Sequence, residues 1–335
     1  MIYENDIVLI VVHYGDIRIT LEFIESYYNS SIKPNLIIIS NMDKNNTSEL
    51  YEKIKMFFGD KVYYAIDVKD LQNSKEIVKE KKILLVRLGI NAMWAGANNV
   101  GIFIAQKLYK PKYFWLLNND VILEKDTIYN IIKILDLNDD FSAIFTGIYG
   151  ECDDFTLKDL RTLRYYNSNE KELSANKLKK YQVAMLGGAS LIIKNDIFES
   201  YPFIDESYYF YWEDVDIGKR ILIKGKKIKN ISEIKVFHKQ GASTNFEDTL
   251  YLDYRARLKF IKKYYNNFWV IYNRLLIALV MCLRILFVPI LELKNKIGIK
   301  KRVKMYSKAM LAAIKPIYNF ECDYLTRNII KRINL

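Results

Sequence analysis

The chain has 335 residues, 51% of them apolar and 27% charged. A chain this long and this apolar buries a large core, as one large domain or two smaller ones, which excludes a disordered protein. The net charge of +12 is uneven: residues 251–335 carry 18 Lys+Arg against 4 Asp+Glu, so +14, and the first 250 residues carry −2.

From the N-terminus, the acidic Met1–Asp6 leads into the apolar run Ile7–Val12. That run is too short and wrongly flanked for a signal peptide and reads as a strand. Strands are predicted at Ile7–Tyr14, Leu36–Ser40, Ile83–Val86, Tyr113–Leu117 and Ala143–Ile148. Amphipathic stretches between them predict helices at Ile17–Asn29, Ser48–Phe58, Ala97–Leu108 and Lys125–Leu135. This alternation implies an α/β fold, a mostly parallel sheet flanked by helices. Residues 151–180 are polar and read as a surface excursion; strands follow at Ala189–Ile193 and Ile234–His238. Three distant cysteines, Cys152, Cys282 and Cys322, give neither a zinc spacing nor a disulfide framework and suit a reducing cytoplasm.

Ligands of open α/β sheets sit beyond the carboxyl ends of the strands. The polar residues there are His13-Tyr14-Gly15, Ser40-Asn41, Asn91 and Asn118-Asn119-Asp120, expected to converge on one crevice. Turn formation is the plain alternative for Ser40-Asn41. It is weaker for Asn118-Asn119-Asp120, which follow a wholly apolar strand directly. His13 reads as a pocket wall. The stretch Asn91–Gly101 is a glycine- and asparagine-rich entry to a helix, able to present backbone N–H groups to phosphate. Close packing at Gly96 and Gly101 is the competing explanation.

The stretch Tyr209-Phe210-Tyr211-Trp212-Glu213-Asp214-Val215-Asp216 holds three carboxylates after an aromatic run. Val215, Ile217, Ile221 and Leu222 recur at helical spacing and Gly225 supplies a stop, so Glu213 and Asp214 open a helix. Its exposed N–H groups favour the ionised carboxylate, a good general base beside aromatic walls. Asp120 and His238, each at a strand end, could share a divalent cation; one carboxylate and one imidazole suit Mn²⁺ or Mg²⁺ better than structural zinc.

In order along residues 5–245, these motifs resemble glycosyltransferase family 2, in particular its rhamnosyltransferase-like members with a GT-A fold. The matching pieces are Val11–Gly15, Ser40-Asn41, the residues from Asn91 to Gly101, Leu117–Val121, Gly187-Gly188-Ala189, Phe203–Glu206, Trp212–Asp216 and Val236–Ser243. The resemblance implies an inverting transfer of a sugar from dTDP-rhamnose or a UDP-hexose to a glycan acceptor, a lipid-linked surface polysaccharide. It implies that Tyr14, Ser40 and Asn41 line the nucleoside pocket, with Asn91, Asn98, Asn118 and Asn119 near the nucleotide sugar and Gly188 on the acceptor side. It makes Asp120 and His238 the metal ligands and Asp214 the general base, with Glu213 as alternative base or acceptor-positioning group. Ser40 stands where the family has aspartate, and Asn118 where the metal motif has its first aspartate.

The division expected is a catalytic domain over residues 1–250 and a basic, apolar helical tail over residues 251–335. From Phe268 to Leu291 the tail is apolar, but its uncharged pieces, Leu275–Leu283 and Ile285–Leu291, are shorter than the about 20 residues a bilayer span needs. Lys259, Lys262, Lys263, Lys294, Lys296, Lys300, Lys301, Arg302 and Lys304 accompany it. This predicts helices lying on an anionic membrane surface, peripheral on the inner face of the cell membrane. A helical subdomain or a homodimer contact is the alternative. A nucleotidyltransferase would need a basic, glycine-rich loop after the first strand, which His13-Tyr14-Gly15-Asp16 does not supply. A nucleic-acid-binding tail would not need long apolar runs, so no nucleic acid is expected as a partner.

Overall fold

The computed structural model describes residues 2–73, 75–137, 141–149, 164–165, 172–173, 182–183, 187–239, 246–289, 298–317 and 322–333. Twelve strands are described: β1 (Ile7–His13), β2 (Asn35–Ser40), β3 (Val62–Ala65), β4 (Ile83–Arg87), β5 (Tyr113–Asn118), β6 (Val121–Ile122), β7 (Ala143–Tyr149), β8 (Arg164–Tyr165), β9 (Glu172–Leu173), β10 (Gln182–Val183), β11 (Ser190–Lys194) and β12 (Ile228–His238). The helices are α1 (Ile17–Tyr28), α2 (Lys44–Phe58), α3 (Asp70–Asn73), α4 (Lys75–Glu80), α5 (Met93–Leu108), α6 (Thr127–Leu137), α7 (Glu213–Ile223), α8 (Phe246–Tyr264), α9 (Asn267–Leu286), α10 (Ile299–Ile314) and α11 (Cys322–Ile333).

The main sheet runs β3-β4-β2-β1-β5-β11-β7-β12-β6, with β9 added beside β12. The half from β3 to β5 is parallel; β11 is antiparallel to both β5 and β7. Every residue of β1 is buried, which is why it reads as an unbroken apolar run rather than an alternating one. Ile7, Leu9 and Val11 join a core with α1, α2 and α6. Val8, Ile10 and Val12 join the opposite core, built with α5, α7 and α11. Register sets His13 beside Ser40, Ser40 beside Arg87, and Val12 beside Asn118. The carboxyl ends of β1, β2, β4 and β5 are therefore level.

Helices α8, α9 and α10 form a separate apolar cluster around Tyr254, Leu258, Ile277, Met281, Met305 and Ala309. The chain then returns, and α11 places Ile329 and Ile330 in the α5 core. Arg332 pairs with Asp67 at 2.8 Å.

Two expectations need correction. Asn91–Gly101 is not an open glycine-rich entry: α5 begins at Met93, and Gly96, Asn98, Asn99 and Gly101 are buried inside it. A Cβ on Gly101 would lie 2.5 Å from Ile10 Cγ2, and one on Gly96 2.7 Å from Thr326 Cγ2, so close packing explains both glycines. The apolar tail is not broken into short pieces either. Asn267–Leu286 is one helix, long and apolar enough by length and composition to cross a membrane. Its arginines do not interrupt it: Arg274 donates to the carbonyls of Ala313 and Lys315 at 3.1 Å each, and Arg284 lies over the Tyr306 ring. Nor do all the tail's basic residues face outward. Lys259 donates to Ser207 O, Lys263 pairs with Asp205 and Asp216, and Arg302 is buried and donates to the Tyr306 hydroxyl, whereas Lys304, paired with Glu247, stays exposed. Lys294 and Lys296, most of the 151–180 excursion and Gly241-Ala242-Ser243 lie outside the described residues.

Candidate active site

The β1 end is built by hydrogen bonding. His13 is fully buried, with Nδ1 2.7 Å from Thr20 Oγ1 and Nε2 2.7 Å from Asn46 Oδ1. It braces β1 against α1 and α2; burial holds its pKa below the ordinary histidine value despite the Asn46 bond. Tyr14, next along, is 45% exposed at the strand mouth. Its carbonyl accepts from Asn119 Nδ2 at 3.2 Å, and the same amide reaches Thr20 Oγ1 at 2.9 Å. Ser40 is fully buried and its hydroxyl meets Thr47 Oγ1 at 2.8 Å, so its side chain is engaged within the β2–α2 turn. Asn41 ties that turn to α5: Oδ1 accepts from Ala92 N, and Nδ2 donates to Met93 O. Asn91 is exposed and its Oδ1 accepts from Met93 N, whose residue has φ of 56°. Asn98 is fully buried; Nδ2 donates to Trp94 O while Oδ1 is left without a partner.

From Trp94 a line of contacts crosses the strand ends. The indole Nε1 donates to Asn118 Oδ1 at 3.0 Å. The Asn118 Nδ2 lies 3.3 Å from His238 Nε2, and that nitrogen lies 3.0 Å from Asp120 Oδ1. The antiparallel pairing of β12 with β6, His238 opposite Val121, brings these residues together. On the other side of Trp94 stands Gly188, whose added Cβ would lie 3.7 Å from Trp94 and 3.7 Å from Asp214 Cβ. Gly187, with φ of 64°, donates its N–H to Asp214 Oδ2 at 3.1 Å. Asp214 is thus linked through Gly187-Gly188 and Trp94 to Asn118, His238 and Asp120.

The Asp120–His238 pair fits a divalent cation. Asp120 is buried, and its Oδ1 has no hydrogen-bond partner. His238 Nε2 lies 3.3 Å from the Asn118 amide nitrogen and 3.0 Å from Asp120 Oδ1, so a carboxylate oxygen and an imidazole nitrogen converge on one point, the pair of donors a shared divalent cation would take. Among the described residues no group of three or more His, Cys, Asp and Glu gathers. The protein would therefore supply two ligands, leaving oxygens of water and diphosphate to complete the shell.

The acidic helix start differs from expectation in one respect. Helix α7 does begin at Glu213. Glu213, however, is buried, and desolvation, with the Asp214 charge adding to it, pushes its pKa up to about 8. The expected ionised carboxylate is therefore corrected to a neutral acid at pH 7: the cost of burying charge exceeds the help from the helix terminus. Its Oε2 has no partner. Asp214 is only half-buried. The aromatic run before them is contorted, with Tyr209, Tyr211 and Trp212 all at φ between 68° and 71°, a conformation that persists only when surroundings enforce it. Asp253 enforces it by accepting from Trp212 Nε1 at 2.8 Å.

Two further residues hold this loop; both stand in motifs noted in the sequence, which gave neither of them this role. Asp216 is fully buried and accepts from Tyr208 and Tyr264 hydroxyls and Lys263 Nζ, with Arg220 Nε 3.1 Å away. Glu206 accepts from Asn99 Nδ2 at 2.6 Å and Tyr201 Oη at 2.9 Å, and from the Thr326 hydroxyl. Only the cluster of carboxylates around residues 205–216 signalled them.

No family model matches the chain, and no curated protein matches it by sequence. Solved structures do. The mannosyltransferase PcManGT from Pyrobaculum calidifontis, in complex with GDP-Man and Mn²⁺, matches with a TM-score of 0.58 at 11% identity. The match covers 92% of this chain and 86% of that one. S. aureus TarS 1–349 matches with a TM-score of 0.50 at 12% identity, covering 92% and 80%. Of the longer TarS structure, the chain spans 39% of the length. At these identities the likeness is one of fold: the chain has the mixed α/β architecture, with its mostly parallel sheet, of PcManGT.

Proposed function

We propose that this chain is an inverting glycosyltransferase that moves a sugar from a nucleoside-diphosphate donor to a hydroxyl of a glycan acceptor. The observation that carries the reading is the contact line from Asp214 through Gly187-Gly188, Trp94 and Asn118 to His238 and Asp120. It sets a candidate base and a candidate diphosphate end in one continuous site at the strand ends. PcManGT, which shares the fold, holds GDP-Man and Mn²⁺. The donors favoured are dTDP-rhamnose or a UDP-hexose, and the acceptor a lipid-linked surface polysaccharide.

In this mechanism Asp214 accepts the proton of the acceptor hydroxyl as its oxygen bonds to the anomeric carbon. The bond from that carbon to the diphosphate breaks on the opposite face, so a single displacement inverts the configuration. Asp214 is held for this by Gly187 N–H. Gly188 carries no side chain where one would fill the space between Asp214 and Trp94. Glu213, neutral at pH 7, can donate a hydrogen bond and orient the acceptor. Mn²⁺ or Mg²⁺, held by Asp120 and His238, would supply charge neutralisation to the departing diphosphate.

The test is a panel of nucleotide sugars incubated with the protein, with and without Mn²⁺, following nucleoside diphosphate release. Nuclear magnetic resonance of the product would then give its anomeric configuration. Release from at least one donor with inversion is expected. Retention of configuration, or inertness toward every donor and acceptor tried, would remove the proposal.

A further inference from the structure

The α8–α10 layer presents an outward apolar row that none of the described residues covers. Phe268, Ile271, Leu275, Leu279, Leu283 and Leu286 of α9 recur every three or four residues along the whole helix, and all are exposed, Leu275 by 67% and Leu286 by 72%. A helix of 20 residues is about 30 Å long, so the row is far larger than scattered surface leucines. Leu311 and Ile314 of α10 are also exposed. Because Arg274 of α9 reaches the carbonyls at the end of α10, the two helices run antiparallel, and the end of α10 lies beside the start of α9.

The opposite side of α9 is committed. Val270, Asn273, Ile277 and Met281 are buried, the last two in the cluster with α8 and α10. Helix α8 carries Arg255, Arg257, Lys259, Lys262 and Lys263. A helix packed along its length on so charged a neighbour cannot cross a bilayer without taking that charge with it, which is costly. Helix α9 can, however, lie in the plane of an interface with its outer row immersed.

Charge at the two ends of the row names the surface. Ile299, at the start of α10, is exposed and is followed by exposed Lys300 and Lys301; Ile314 is followed by exposed Lys315. The N-terminal end also carries stacked Phe268 and Tyr272 with Trp269 edge-on to both, side chains suited to the headgroup level. Apolar centre, aromatic end and basic rim are complementary to an anionic lipid bilayer rather than to another basic copy of this chain.

We infer that the α9–α10 face docks in the plane of an anionic lipid bilayer. The docking reaches the site described above: Val270 packs in one cluster with Trp212 and Phe260, and Lys263 and Tyr264 hold Asp216 of α7. The start of α7 is therefore one helix away from the membrane, where an acceptor carried on a lipid would arrive. Docking itself does not depend on the transfer reaction.

The test floats the full chain on vesicles of phosphatidylcholine with one quarter phosphatidylglycerol, and on phosphatidylcholine alone. Flotation with the anionic vesicles at low salt, reduced at least fivefold in 0.5 M NaCl or on neutral vesicles, is expected. Leu275→Ser with Leu279→Ser and Leu283→Ser should reduce flotation at least tenfold with the thermal midpoint and circular dichroism unchanged. The pair Lys300→Glu and Lys301→Glu, which alters no packed residue, should act in the same direction. Absence of flotation by the wild-type chain, or flotation by both variants equal to that of the wild-type chain, would overturn the inference. So would a dimer in ultracentrifugation that the leucine variant dissociates, since a second copy would then cover the face. Retention in cell membranes through alkaline carbonate extraction would overturn the in-plane arrangement. Vesicle flotation by a chain that releases no nucleoside diphosphate would leave the docking standing and count against the transferase reading alone.

Discussion

His238 Nε2 and Asp120 Oδ1 face each other at 3.0 Å because β12, which ends at His238, pairs antiparallel with β6, which begins directly after Asp120. The side-chain oxygen has no hydrogen-bond donor, and the neighbouring amide is Asn118 rather than a carboxylate. Asp120→Ala should therefore weaken Mn²⁺ binding in the presence of a nucleoside diphosphate at least tenfold by calorimetry. His238→Ala should act in the same direction but less, because a carboxylate and the diphosphate still hold the ion. Asn118→Asp should tighten Mn²⁺ binding by adding a negative oxygen beside the pair. Unchanged Mn²⁺ affinity in all three variants would place the ion elsewhere.

Asp214→Asn should keep donor binding and lower turnover by about 100-fold or more, as expected for loss of a general base. Glu213→Gln preserves a neutral hydrogen-bonding group where the structure holds a neutral acid, and should lose much less, with its effect mainly on acceptor KM. Steady-state kinetics with varied acceptor separates the two. A Glu213→Gln loss as large as that of Asp214→Asn would exchange their roles.

Glycines in this chain act in two ways that a sequence alone does not separate. Gly101→Ala would set a methyl 2.5 Å from Ile10 Cγ2 between α5 and β1, and should destabilise the fold by about 1–3 kcal/mol. Gly188→Ala meets its neighbours at an ordinary 3.7 Å, and should leave the thermal midpoint almost unchanged while slowing transfer through crowding between Trp94 and Asp214. Equal thermal shifts in both variants would contradict this distinction.

The strands β1, β2 and β5 were legible because burial on both faces leaves an unbroken apolar run, and the residues at their carboxyl ends follow from that. Strand β3 was not predicted: Val62-Tyr63-Tyr64-Ala65 is short, with its two tyrosines only half-buried. The start of α5 at Met93 was missed because Gly96 disfavours a helix locally and the helix was begun after it; only contacts with Ile10, Thr326, Ile204 and Glu206 reveal why Gly101, Gly96 and Asn99 are there. Helix α9 was missed as one element because a count of uncharged residues stops at Arg274 and Arg284, whereas the fold gives each a partner. The protonation of Glu213 was out of reach for the same reason. Helix position is written in the sequence, but the depth of burial depends on residues far along the chain.

That burial has a consequence for stability. Glu213 has a folded pKa of about 8 against an ordinary 4.5, so between these values the folded state binds a proton the unfolded chain releases. Stability must then fall as pH rises through that window, the cost growing until pH passes about 8 and staying constant above it. Glu213→Gln removes the titration while keeping shape and neutrality. The variant should match wild type near pH 4.5 and exceed it increasingly up to pH 8, by on the order of 2–4 kcal/mol at most. Urea unfolding of both proteins at pH 5, 6, 7 and 8 measures the difference directly. A constant difference across this range would mean that Glu213 titrates alike folded and unfolded, and that the helix terminus does hold it ionised after all.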